Sequence, residues 1–237
     1  MDATSNTILR VRGAAILLCL FSLGAAAQAG RTEELIERAL ALEPEPDTKA
    51  GQNLFDEHCV SCHGAQAQGD ERNVMPALAS QLSIYLIKQL VDMSEGGRDI
   101  PEMHRVFSRK ALTAPQAIRD VATYLSRLPV NSANEKGVGD DIPTGRRYYQ
   151  GLCAFCHGEQ GEGNAAHATP TVRGQHYSYL LAQIRELSAM HRYSVDMEIV
   201  EALEGLPFDR AAAVADYMSR LPDSSIASSP VAAPASH

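Results

Sequence analysis

Apolar positions recur at helical spacing in two separate stretches of this chain that share one design. Over residues 80–95, Leu82, Tyr85, Leu86, Leu90 and Met93 fall on one helical face, and residues 176–189 form the corresponding stretch. Shorter helices are predicted over 49–57 and 145–152. A closing helix is predicted over 113–128, where Thr113-Ala-Pro-Gln116 has the form of a capping box with Pro in its first turn and Pro129 follows the last turn. Its counterpart runs from near Pro207 to Leu221, stopped by Pro222. Residues 31–42 read as a short amphipathic helix followed by the stiff Glu43-Pro-Glu-Pro46. No run alternates Val, Ile or Thr with polar residues, so the expected fold class is all-α, without a sheet.

The two designs are copies. Shifting the second half by 94 positions superposes Gly51 on Gly145, His63-Gly64 on His157-Gly158, Gly69 on Gly163, Pro76 on Pro170 and Gln81 on Gln175. The match continues through Tyr85-Leu86 on Tyr179-Leu180, Gln89 on Gln183, Ser94 on Ser188, Arg98 on Arg192 and Met103 on Met197. After a one-residue slip, the Tyr124–Pro129 segment pairs with Tyr217–Pro222. Duplication of a whole small domain explains this, and it lets one copy test the other.

The chemistry sits at one pentapeptide in each copy, Cys59-Val-Ser-Cys62-His63 and Cys153-Ala-Phe-Cys156-His157. Two cysteines one helical turn apart can form thioethers with the two vinyl groups of a porphyrin, and the adjacent His can supply an axial imidazole to iron. A single CxxC could instead hold zinc or shuttle a disulfide. Two copies in matching contexts favour two covalently bound haem c groups. The opposite axial ligand is chosen by the repeat, because Met103 and Met197 each follow their His by 40 residues. Met75, Met93, Met190 and Met218 have no Met counterpart and read as core or surface residues. At the second site Met190 and His191 stand where the first copy has Gly96 and Gly97, so they compete with Met197 there.

With these residues in place the chain resembles the dihaem class I cytochromes c of the cytochrome c4 family over residues 48–222. The resemblance rests on the paired CxxCH-Gly motifs, Pro76 to Gln81 and Pro170 to Gln175, the Tyr-Leu-x-x-Gln helix, and the distal Met before a final helix ending in Tyr-x-Ser. It implies two tandem class I cytochrome c domains joined by a short linker, with Cys59, Cys62, Cys153 and Cys156 anchoring haem. It further implies His63 and His157 as proximal ligands, Met103 and Met197 as distal ligands, and the carbonyls of Pro76 and Pro170 as acceptors that orient the proximal rings. The expected partition is a signal peptide at 1–29, an N-terminal extension at 30–47, domains at 48–129 and 145–222, a linker at 130–144 and a disordered tail at 223–237.

Composition narrows the setting. Arg10 and Arg12 precede an apolar run from Ala14 to Ala27 that closes on Ala27-Gln28-Ala29, the pattern of a secretory signal, too short for a comfortable membrane span. Cleavage would remove Cys19 and leave four of five cysteines, all inside the two pentapeptides. With 21 basic against 29 acidic residues the net charge is -8, which disfavours nucleic acid and steers the chain toward basic surfaces. A periplasmic electron carrier to a terminal oxidase or reductase is the expected function, with at most peripheral membrane association and no catalytic residues. A dedicated electron-transfer subunit of a periplasmic dehydrogenase, for example one oxidising a sulfur compound, shares every feature. A dihaem peroxidase needs an open iron, which two matched methionines disfavour. His58, His104, His167, His176 and His237 lack counterparts and read as surface or packing residues, while Arg98 and Arg192 read either as propionate or interface partners or as helix-end charges.

Overall fold

The computed structural model describes residues 34, 36–41, 45–108, 112–189 and 197–222. The signal segment, the tail, Met190, His191, Arg192 and His237 lie outside them, as does the side chain of Met197. The first domain contains α1 (Thr48–His58), α2 (Val60–His63), α3 (Ser83–Ser94), α4 (His104–Ser108) and α5 (Pro115–Ser126). The second contains α6 (Ile142–Tyr148), a π-helical segment (Tyr149–Cys153), α7 (Ala154–His157), α8 (Tyr177–Ser188), α9 (Met197–Leu203) and α10 (Phe208–Ser219). The described residues hold helices and two isolated bridges but no strand, as the pattern predicts.

In each domain the opening helix crosses the closing helix at the glycine that recurs. A Cβ on Gly51 would lie 2.2 Å from the Asp120 carbonyl oxygen, and one on Gly145 would lie 2.1 Å from that of Ala213. Only glycine lets the two backbones approach this closely. Beside the crossings, Phe55 packs on Tyr124 with centroids 5.8 Å apart and Tyr149 on Tyr217 at 5.5 Å. Both pairs are tilted rather than stacked, an arrangement that favours aromatic contact. Phe55, Ile87, Val91, Ile118, Val121 and Leu125 centre one core; Tyr149, Leu180, Val214, Ala215 and Met218 centre the other. A helical stretch at 36–40 adds Ile36 and Ala39 to the first core.

Two local expectations change. The N-cap of α5 is Ala114 and carries no side-chain cap bond; Gln116 instead donates to Asp120 Oδ1 at 2.7 Å. The opening helix of the second copy starts at Ile142, capped by Asp141, and widens to a π-helix before Cys153. Residues between the domains are bound rather than free. Asn134 is buried and donates to the carbonyls of Gln175 (2.6 Å) and Ser219 (2.9 Å), and Gly139 N–H donates to Asp216 Oδ2 (2.7 Å). Turn-forming residues also bind backbone, which is why a stretch rich in Asn and Gly looks like linker in sequence and packs as a strap in space.

Candidate functional site

α1 ends at Cys59, and the following single turn of α2 brings Cys62 and His63 round onto the domain's interior. Gly64, at φ +77, turns the chain away, and Gly69 N–H returns to the His63 carbonyl at 2.9 Å. The Asp70–Met75 bridge then fixes the approach of Pro76. The second copy builds the same loop from Gly158, a Gly163 to His157 bond of 2.8 Å and the Asn164–Thr169 bridge.

These loops aim each imidazole. His63 Nδ1 donates to the Pro76 carbonyl at 3.0 Å and His157 Nδ1 to the Pro170 carbonyl at 2.9 Å. Donation from Nδ1 fixes the tautomer and leaves the Nε2 lone pair available to a metal. Burial lowers both imidazole pKa values, partly opposed by the proline carbonyl, so each ring is neutral at neutral pH. Burial, reinforced by the neighbouring cysteine, pushes the Cys59 and Cys153 thiols up to about 12. All four cysteines of the pentapeptides are unpaired, and thiols so raised are poor nucleophiles for disulfide exchange.

Both sites open on one cavity of about 1500 Å³, whose wall includes Cys59, Cys62, His63 and Met103 from the first domain and Cys153, Cys156 and His157 from the second. Its size, its largely apolar helical walls and its paired thiols beside a neutral imidazole suit a large flat apolar group held at its edge and centre in each domain. Met103 ends the 3-10 turn Pro101–Met103, with its side chain on the cavity wall. Met75, Met93 and Met218 line the same cavity, so position on the wall alone does not select a ligand. Met197 begins α9.

Along this cavity the domains meet through buried polar groups. Arg98, buried beside α3, donates to Gln89 (2.6 Å) in its own domain and to Tyr179 Oη (3.2 Å) and Gln183 (2.9 Å) on α8. It is an interface residue, one of the two readings its recurrence left open. His176 is also buried there: its Nε2 bonds the Gln68 carbonyl at 2.7 Å while Nδ1 accepts the Glu135 N–H at 3.0 Å. His104 pairs with Asp99 at the surface, His167 lines the cavity, and the half-buried His58 lies 3.7 Å from the Glu57 carboxylate.

Two residues that sequence reasoning singled out as repeats without assigning a role complete the interface. Gln81 bonds both backbone groups of Thr171, and Gln175 bonds both backbone groups of Ala77. Their recurrence at one offset was the available signal. Their partners belong to the other copy, which no periodicity within a copy can indicate.

The fold and this doubled thiol and imidazole site define a class, the c-type cytochromes with tandem domains, and comparison with known proteins agrees. The cytochrome c family model matches residues 48–129 and again 142–221. Cytochrome c4 of Pseudomonas aeruginosa is 29% identical over 69% of this chain and 83% of its own length; that of Azotobacter vinelandii is 32% identical over 59% and 71%. A thiosulfate dehydrogenase electron acceptor of Stutzerimonas stutzeri is 28% identical over 73% of this chain and 83% of its own. The crystal structure of reduced cytochrome c4 from Pseudomonas stutzeri superposes with a TM-score of 0.66 at 25% identity, covering 75% of this chain and all of the other. Thiosulfate dehydrogenase of Marichromatium purpuratum gives 0.65 at 27% identity over 74% of this chain and 40% of its own. The chain belongs to the cytochrome c4 family of dihaem cytochromes c. It carries two covalently bound haem c groups and is an electron-transfer protein rather than an enzyme.

Proposed function

We propose that the chain is exported to the periplasm, loses residues 1–29, and relays single electrons from a periplasmic donor to a membrane-bound terminal oxidase or reductase. In this reading Cys59 with Cys62, and Cys153 with Cys156, tie one haem to each domain, at 48–129 and 145–222. His63 and His157 would present Nε2 to iron, and Met103 and Met197 would supply a thioether ligand to each. The haem supplies reversible one-electron exchange; ligation by His and a thioether favours the ferrous form and leaves no position for substrate. The polypeptide's part is to hold both imidazoles neutral and oriented, exclude water with two apolar cores, and keep the two centres adjacent. The observation that carries the reading is the pair of imidazoles, each fixed by a proline carbonyl beside an unpaired CxxC, opening on one shared cavity. Among the described residues no helix is long and apolar enough to cross a membrane.

A second reading, the dedicated electron-transfer subunit of a thiosulfate-oxidising or similar periplasmic dehydrogenase, is favoured by the likeness to the Stutzerimonas stutzeri electron acceptor and to the Marichromatium purpuratum enzyme. Haem content and the near-infrared spectrum of the purified oxidised protein test the ligand set. Two haems per chain with a thioether-to-iron charge-transfer band of two-haem intensity are expected. Half intensity would remove one of the two methionines from the assignment, and carbon monoxide binding by the reduced protein would overturn the closed-iron reading. Stable co-purification with a dehydrogenase would decide for the subunit.

A further inference from the structure

The interface glutamines sit at the end of a hydrogen-bonded chain that leads to the opposite domain's imidazole. Gln175 is buried, and its Oε1 accepts the Ala77 N–H at 2.9 Å while its Nε2 donates to the Ala77 carbonyl at 2.9 Å. Ala77 N–H belongs to the same planar peptide group as the Pro76 carbonyl. That carbonyl accepts from His63 Nδ1 at 3.0 Å. One amide therefore joins a side chain of the second domain to the imidazole of the first. The mirrored chain is equally complete. Gln81 Oε1 accepts the Thr171 N–H at 2.9 Å, its Nε2 donates to the Thr171 carbonyl at 3.0 Å, and Pro170, in the same peptide group as Thr171 N–H, accepts from His157 Nδ1 at 2.9 Å. The partners fix both amide orientations, since a backbone N–H can face only Oε1 and a carbonyl only Nε2.

We propose that Gln81 and Gln175 are crossed positioning residues, each setting the electron donation of the proximal imidazole in the other domain. The inference rests on His63 and His157 being the proximal ligands. Its physical basis is polarisation along a hydrogen-bonded chain: an amide that donates through N–H is a stronger acceptor at its carbonyl, by roughly 10–30% per bond. A stronger acceptor on Nδ1 makes the imidazole more basic and a better donor to ferric iron. Each glutamine thus lowers the potential of the iron in the opposite domain. Oε1 also accepts the N–H of the next residue, Leu82 or His176, at 3.0 Å, so the helix start that follows each glutamine holds its amide in place.

The test uses the full-length dihaem protein and its Gln175→Leu and Gln81→Leu variants, with two readouts. One is the proton spectrum of the reduced protein, in which ring protons of an axial His are moved far upfield by the porphyrin ring current. The other is a redox titration that resolves both haems. Gln175→Leu is expected to shift the His63 Nδ1–H resonance and raise the first-domain potential, changing that centre's oxidised-to-reduced ratio about two- to threefold at fixed potential; the second domain stays put. Gln81→Leu should do the converse, affecting His157 alone. No shift, a shift in the substituted domain, or an equal shift of both centres on loosening of the interface would each overturn the proposal. Should one variant fail to fold, the other still gives a complete crossed readout, and Gln175→Met supplies an unbranched replacement. If the unsubstituted protein lacks upfield-shifted ring protons from His63 and His157, the ligand assignment fails instead, a result distinct from shifted ligands that ignore the glutamines.

Discussion

Gly51 shows what a single atom decides. Adding a Cβ there drives it into the Asp120 backbone, while at Gly151, in the π-helical segment, it would meet nothing within 4 Å. Gly51→Ala is therefore expected to cost the first domain about 2 kcal/mol through forced separation of α1 and α5. Gly151→Ala should be neutral or stabilise slightly through the unfolded chain. Thermal melts of both variants check this contrast; an unchanged melting temperature for Gly51→Ala would mean that the crossing does not depend on glycine. Residues of this kind were legible only in part. The repeat marked Gly51 and Gly145, but the partner carbonyls belong to helices about seventy residues away, one of them Asp120, which does not recur. His176, read as a surface or packing residue, is buried in the packing, and there it bridges Gln68 and Glu135, partners that a residue without a counterpart gives no means of finding in the sequence.

At the scale of elements, each motif helix is too short to stand alone. α2 and α7 have four residues apiece, far below the length at which an isolated helix persists in water. They are held by the glycine loop that follows and, on the proposed assignment of Cys62 and Cys156, by covalent attachment to haem. Each domain is also small enough to be marginal without that nucleus. Replacing both Cys153 and Cys156 with Ala should leave the second domain largely unfolded while the first keeps its helices. Circular dichroism retaining the full helical signal would contradict this. The helices themselves were legible because each buries one stripe on one core, which imposes the 3.6-residue period. Their ends were less so: the capping-box pattern at Thr113 predicts an earlier start, yet the helix begins after Ala114, and Gln116 Nε2 donates to Asp120 one turn on.

For the molecule as a whole, charge sets the approach of partners and packing sets the relation of the two centres. A net charge of -8 predicts that reduction by a cationic ammine complex slows as salt is added, while reaction with ferricyanide quickens. Stopped-flow rates across an ionic-strength series check the signs, and salt-independent rates would show that local rather than overall charge governs encounter. The sequence alone determined the class of this protein, since thioether attachment requires two cysteines and a histidine at fixed local spacing, and duplication wrote that requirement twice. It also determined the helical content, because burial on one side leaves a periodic trace. Only the tertiary structure decided how the copies face each other. Gln81, Gln175, Arg98 and His176 find their partners across the interface, and hydrogen bonds between residues some 80 to 110 positions apart follow from the packing of finished domains, which leaves no period in the chain.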